Sequence, residues 1–246
     1  MTIESKIKRI AMWSGPRNIS TAMMRAWENR GDAIVVDEPL YGQYLHHTGI
    51  EHPGAQEVIE VQGQNWRLGV DQCFVDLPSD KSIHYQKHMT MHLLDHIDRE
   101  WLTKLAHCFL IRHPADVLSS YAAVREQATL SDIGFIQQAQ LYEYVTDELE
   151  RPSLVIDSKD FLQNPKGILQ KLCEALGVSY TDKMLSWPAG ERETDGVWAK
   201  YWYASVNKSE GFMPYKPKDI ALSTAEQKIV DEALPYYDRL YRDRII

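Results

Sequence analysis

Ile10-Ala11-Met12-Trp13-Ser14-Gly15-Pro16-Arg17-Asn18-Ile19-Ser20-Thr21 decides how this chain is read. An apolar run suited to a buried strand stops at Ser14-Gly15-Pro16. One cation (Arg17), an amide (Asn18) and, after Ile19, two hydroxyls (Ser20 and Thr21) follow. Ala22-Met23-Met24-Arg25-Ala26-Trp27 then continues with helical spacing. A strand, a tight turn and a helix start form an anion cradle. Free backbone N–H groups and the positive end of the helix dipole meet at one point. Arg17, Ser20 and Thr21 add charge-assisted and hydroxyl donors there. The ligand class implied is phosphate or sulfate. The stretch is not a Walker A motif, which ends in Gly-Lys-Ser/Thr with the lysine on the outer phosphates. The competing reading is a plain strand-to-helix turn whose Ser and Thr cap the helix.

Working outward, five short apolar runs read as strands, at 10–14, 33–37, 82–86, 108–112 and 153–157. Helical spacing fills 18–30, 115–126, 131–150 and 166–176, the last closed by Gly177. A final helix over 223–242 opens with a capping box, Ser223 and Glu226, and is interrupted by Pro235. Strands alternating with helices imply an α/β fold with a parallel sheet of about five strands between two helical layers. Residues 1–246 read as one domain. Two irregular excursions, about 43–78 and 186–219, are placed to cover the strand ends as a lid or acceptor wall.

Ligands of such sheets bind outside the carboxyl ends of the strands. Four polar clusters are expected there: Ser14 to Arg17, Asp37-Glu38-Pro39, Lys87-His88 and Arg112-His113-Pro114. Composition narrows the partners. Of 246 residues, 44% are hydrophobic and 25% charged, with a net charge of −8. Nucleic acid is therefore a poor fit as the main partner. Cys73, Cys108 and Cys173 form no CxxC pair and read as reduced thiols, which suits the cytoplasm. The polar start, Met1 to Arg9, lacks the apolar core of a signal peptide. No run of about 18 apolar residues exists to span a membrane.

The fourth cluster supplies a second anion site. Arg112 closes a strand, Pro114 suits the first turn of the next helix, and Ser120 lies eight residues after Arg112. Together the two segments resemble the sulfotransferase family that uses 3′-phosphoadenosine 5′-phosphosulfate (PAPS). In style they are closest to bacterial carbohydrate and trehalose sulfotransferases. The resemblance rests on Ser14 to Thr21 and on Arg112 with Ser120, and firmly covers about residues 8–126. It implies an architecture like that of P-loop nucleoside triphosphate hydrolases. It also implies that Ser14, Gly15, Pro16, Arg17, Asn18, Ile19, Ser20 and Thr21 hold the 5′-phosphosulfate, while Arg112 and Ser120 hold the 3′-phosphate. Many family members have glycine where Ile19 stands. A β-branched residue resists positive φ, so the loop is expected to depart from the family's geometry there.

Sulfuryl transfer to a hydroxyl or amine of a small acceptor needs a base, a cation and in-line geometry, and no metal. Glu38 is one candidate base, since the trehalose enzymes resemble this chain at their Glu-Pro segment. The alternative is that Asp37 and Glu38 only cap a helix starting at Pro39. His88 is the rival base, with Lys87 as the cation that follows the sulfuryl group. His84, His88, His92 and His96 recur every four residues, but the run crosses a strand end, so no metal site is expected. Lys208, near Gly211, is a faint third phosphate contact. Trp198, Tyr201, Trp202 and Tyr203 read as core packing in preference to a ring-stacking site. Two other readings stay open. One is an atypical P-loop kinase or NTPase with Asp157 near Mg²⁺. The other is a non-catalytic relative that only binds.

Overall fold

Strand β1 (Lys8–Ser14) shows why the sheet is covered on both sides. Successive side chains point to opposite faces. Ala11 and Trp13 enter one apolar core, Ile10 and Met12 the other. The computed structural model describes residues 7–122, 129–217 and 219–246. The other strands are β2 (Ala33–Asp37), β3 (Ile83–Met89), β4 (Ala106–Ile111) and β5 (Ser153–Asp157). They pair in the order β2-β3-β1-β4-β5, every pair parallel. The expected α/β class and five-stranded parallel sheet are what the structure shows.

Helices α1 (Ser20–Glu28) and α8 (Pro165–Leu176) cover one face, where Met23, Met24 and Trp27 meet Leu169 and Leu172. The opposite face packs against α5 (Pro114–Ala122), α6 (Phe135–Glu143) and α10 (Thr224–Tyr241), through Leu118, Ala139, Val230 and Leu240. Between β2 and β3 the chain forms α2 (Tyr41–Thr48), α3 (Ala55–Gln62) and α4 (Trp66–Gln72). Gly69 lets α4 approach closely: a Cβ there would lie 2.1 Å from the Pro39 carbonyl oxygen. After β5 come α7 (Ser158–Gln163), α8 and the short α9 (Ala199–Trp202). A third apolar cluster joins α2 and α3 to the α9 region through Tyr41, Tyr44, Val58, Trp198 and Tyr203.

Several boundaries differ from expectation for identifiable reasons. β3 continues to Met89, so Lys87 and His88 lie inside a strand rather than after it. Their polarity reads as a strand end, yet each has buried partners. The expected helix over 131–150 begins at Phe135, because Gly134 sits at φ 71 just before it, and ends in a π turn at Tyr144–Glu148. The helix expected over 115–126 is α5 as far as Ala122, and residues 123–126 lie outside the described residues. Gly177 closes α8 in the left-handed region, and the Ser223–Glu226 capping box forms.

The face of β3 opposite Lys87 buries His84 and His88, and β4 buries His107. His88 stacks on Trp13 at 4.4 Å between ring centroids, and Trp13 Nε1 donates to His107 Nδ1 at 3.1 Å. Burial pushes His88 down to about 3, and His84 and His107 down to about 4. Unfolded histidines titrate near 6.5, so between these values the unfolded chain binds more protons than the folded one. Stability must then fall as pH drops below about 6.5. At pH 5 the uptake on unfolding approaches three protons from these side chains. Melting temperatures measured from pH 7 to pH 5 should drop steeply, and His88→Asn should flatten the slope. A level profile over that range would contradict the buried neutral assignment.

Candidate active site

The turn after β1 is built to leave donors free. Asn18 Nδ2 donates to the Leu110 carbonyl at 3.0 Å, and its Oδ1 accepts the Ile19 N–H at 2.8 Å. The loop is thus latched to β4. Ile19 is the N-cap of α1, with no side chain capping the helix. The first backbone donor to bond back along the helix is Met23 N–H, to the Ile19 carbonyl at 2.9 Å. The N–H groups of Ser20, Thr21 and Ala22 have no intrahelical acceptor. Ile19 itself adopts φ −88, so a β-branched residue costs nothing there. The left-handed residue of the turn is instead Arg17, at φ 57. The expected backbone conflict at Ile19 does not arise.

The two predicted anion sites are adjacent. Arg17 Nε donates to Ser120 Oγ at 3.0 Å, and Arg112 Nη1 donates to the Arg17 carbonyl at 2.5 Å. Gly15 through Thr21, Arg112 and Ser120 line one cavity of about 410 Å³. Burial lowers the Arg112 pKa, with the Arg17 charge adding to the effect against an opposing pull from Asp116. Ser14 is buried behind the loop, its hydroxyl donating to the Gly15 carbonyl at 2.8 Å.

Glu38 and Lys87 line the same cavity. Lys87 Nζ donates to Asp37 Oδ1 at 2.8 Å, to Tyr203 OH at 2.7 Å and to Glu38 Oε1. Tyr203 OH donates to Asp37 Oδ2 at 2.7 Å. Burial would strip the Lys87 proton, but Asp37 and Glu38 outweigh it and hold the ammonium well above its ordinary range. Burial also raises Glu38, with Lys87 opposing and Asp37 adding to the rise. Asp37 and Glu38 do not cap α2, whose N-cap is Leu40 with no side-chain bond. Glu38 stands at φ 42. Left-handed non-glycine residues store strain and cluster at functional sites. Arg17 and Glu38 are two of the three among the described residues.

Two candidates lie elsewhere. His88 points to the opposite face of β3, buried against Trp13 and Trp101, with its Nε2 at 3.2 Å from Gln86 Oε1. Strand alternation puts it opposite Lys87, so it does not line the cavity. Lys208 is exposed and also outside the lining. Asp157 caps α7, accepting from the N–H groups of Lys159 and Asp160, and accepts Tyr237 OH at 2.9 Å. The aromatic cluster does more than pack. Trp198 and Tyr203 are buried, and both line the cavity beside Tyr41, Tyr44 and Trp202. Sequence reasoning missed Tyr203 as a polar partner of Lys87. It also missed the pairing of Asp37 with Lys87, which only the β2–β3 register reveals. Among the described residues, no group of three or more His, Cys, Asp or Glu is placed to hold a metal ion. No helix among them is long and apolar enough to cross a membrane.

A family model described as the sulfotransferase domain matches residues 8–244. The chain belongs to the sulfotransferase family. Two solved sulfotransferase domains share its fold. That of the curacin biosynthetic pathway aligns with TM-score 0.50 at 16% identity, covering 92% of this chain and 97% of that one. That of the Synechococcus PCC 7002 olefin synthase aligns with TM-score 0.54 at 16% identity, covering 94% and 97%. Among curated sequences, the sulfotransferase chain is 32% identical over 231 residues to branched-chain-amino-acid aminotransferase-like protein 1 of Arabidopsis thaliana. It is 28% identical over 234 residues to protein 2 of the same name. Each match covers 94% of this chain and 41% of the relative, so the chain spans less than half the length of these curated relatives.

Proposed function

We propose that the protein moves a sulfuryl group from PAPS to a small acceptor carrying a hydroxyl or amine. One observation carries the reading. Two arginines, three hydroxyls and an uncapped helix N-terminus meet in the same cavity as a buried carboxylate and a buried ammonium. The donor set fits an anionic ligand: the Ser20, Thr21 and Ala22 N–H groups lack intrahelical acceptors, and Arg17 and Arg112 line the same cavity. PAPS, when bound, supplies an activated sulfuryl group on a phosphate leaving group.

In this reading the chain's own residues divide the work. Gly15 through Thr21 hold the phosphosulfate end, Arg112 and Ser120 the 3′-phosphate. Glu38 accepts the acceptor's proton through Oε2, since Oε1 is bonded to Lys87. Lys87 places a fixed positive charge beside the reacting oxygens. Tyr41 just before the segment 43–78, Tyr44 within it, and Trp198 and Tyr203 from 186–219 form the acceptor wall, and these aromatic faces exclude water. The reading as a P-loop kinase loses its supposed Mg²⁺ ligand, because Asp157 is spent as a helix cap.

Thermal melting separates the two nucleotide classes. Adenosine 3′,5′-bisphosphate (PAP) binds only the folded chain, so it should raise the melting temperature by mass action. ATP with Mg²⁺ should raise it far less at equal concentration. The reverse order would refute the PAPS assignment.

A further inference from the structure

His92 carries a buried polar atom that bonds to nothing. It ends the 3₁₀ turn Thr90–His92 and is 3% exposed. Its ring packs against two others: Tyr41 stacks on it at 4.6 Å and 5°, and Tyr44 lies at 4.6 Å and 31°. Gln43 Nε2 donates to the His92 carbonyl at 2.6 Å and pins the backbone. Its Nδ1 is buried and has no hydrogen-bond partner. Glu38 Oε2 faces it at 3.8 Å, too far for a direct bond. Both side chains line the cavity. Buried polar groups in native proteins are almost always paired, so an orphan at a cavity wall points to a ligand atom.

We propose that His92 Nδ1–H donates to the oxygen of an uncharged hydroxyl acceptor while Glu38 Oε2 takes that oxygen's proton. The proposal rests on the sulfuryl-transfer reading and names its acceptor class. The hydroxyl oxygen keeps a lone pair for sulfur. A new oxygen–sulfur bond forms, the sulfur–oxygen bond to the donor phosphate breaks, and its electron pair stays on that phosphate. The proton ends on Glu38, and His92 neither gains nor loses one. Burial, with His52 and Lys87 adding to it, holds the imidazole well below its ordinary value, so it stays a neutral donor throughout. An ammonium acceptor would meet the fixed charge of Lys87. Tyr41, Tyr44, Met91, Trp198 and Trp202 offer an apolar and aromatic body its wall.

Two measurements test this on the full chain. In NMR of protein labelled with heteronuclear histidine nitrogens, His92 should carry its proton on Nδ1; a proton on Nε2 alone overturns the proposal without touching the PAPS assignment. Labelled PAPS is then offered with benzyl alcohol, cyclohexanol, 2-naphthol and benzylamine near neutral pH. The parent should use the hydroxyl compounds in preference to the amine. His92→Phe should lower kcat about 100-fold, as loss of one oriented donor does, with the PAP melting shift retained. Asparagine places its amide nitrogen near the Nδ1 position, so His92→Asn should recover about tenfold of that loss. His92→Gln, which places its amide further out, should not. Equal rates for Asn and Gln, or an unchanged His92→Phe, overturn the role of His92 alone. Preference for benzylamine overturns the acceptor class. No transfer by the parent to any of the four overturns this proposal alone where PAP still raises the melting temperature, and the PAPS reading with it where PAP does not.

Discussion

Replacing Glu38 with glutamine should lower turnover by about 1,000-fold, within the range a general base contributes, and leave the PAP melting shift intact. Glutamine keeps the shape and still offers an oxygen to Lys87, but it cannot take a proton. The backbone that presents the side chain does not depend on the carboxylate. Glu38 N–H donates to the Lys87 carbonyl at 2.9 Å, and Gln62 Nε2 donates to the Glu38 carbonyl at 3.1 Å. The pH profile of the parent carries the same information. Burial raises the Glu38 pKa above the usual carboxylate value of 4.5. Only the ionised form can accept a proton. The acid limb of kcat/KM should therefore fall at a higher pH than an exposed glutamate would give, as pH descends through that raised value. Lys87 stays protonated across this range, so it adds no limb of its own. Turnover in Glu38→Gln equal to the parent would exclude Glu38 as the base.

The fold was legible because its signals are local. Apolar runs of strand length mark β1, β2 and β5, whose ends match expectation at Ser14 and Asp37 and over Ser153–Asp157. The turn at Ser14 to Thr21 between β1 and α1 was legible for the same reason, and the structure brings Arg112 and Ser120 beside it. What could not be read was anything set by strand register. Lys87 and His88 look polar enough to end a strand, yet pairing with β1 and β2 carries β3 through them to Met89. That extension turns Lys87 toward the cavity and His88 away from it. The same limit hid Tyr203, which is 116 residues from Lys87 in sequence and 2.7 Å from it in space. Strain was misplaced in the same way. Chemistry of side chains suggested Ile19 as the awkward residue of the turn, but the burden falls on Arg17, two positions earlier. A left-handed arginine is tolerated because its carbonyl and its Nε are both held, by Arg112 and by Ser120.

That arrangement gives Arg112 two tasks, and Arg112→Ala should show both. One task is to hold the turn, through its bond to the Arg17 carbonyl. The other, in the PAPS reading, is to grip the 3′-phosphate. A charge-assisted hydrogen bond is worth about 1.5–3 kcal/mol. Its loss should weaken PAP binding by about 10- to 150-fold. At a PAP concentration about 100 times the parent's dissociation constant, ligand adds about 2.7 kcal/mol of stability. The variant should lose from about half to about nine-tenths of that, and its melting shift with PAP should shrink in proportion. Arg112→Lys separates the tasks. Lysine keeps the charge but not the fork, so it should recover part of the ligand response as a point charge. Ser120→Ala removes a neutral partner of Arg17 and should cost less than either. If Arg112→Ala melts earlier without ligand yet keeps the parent's full PAP response, Arg112 only braces the turn, and the 3′-phosphate must be held by other residues.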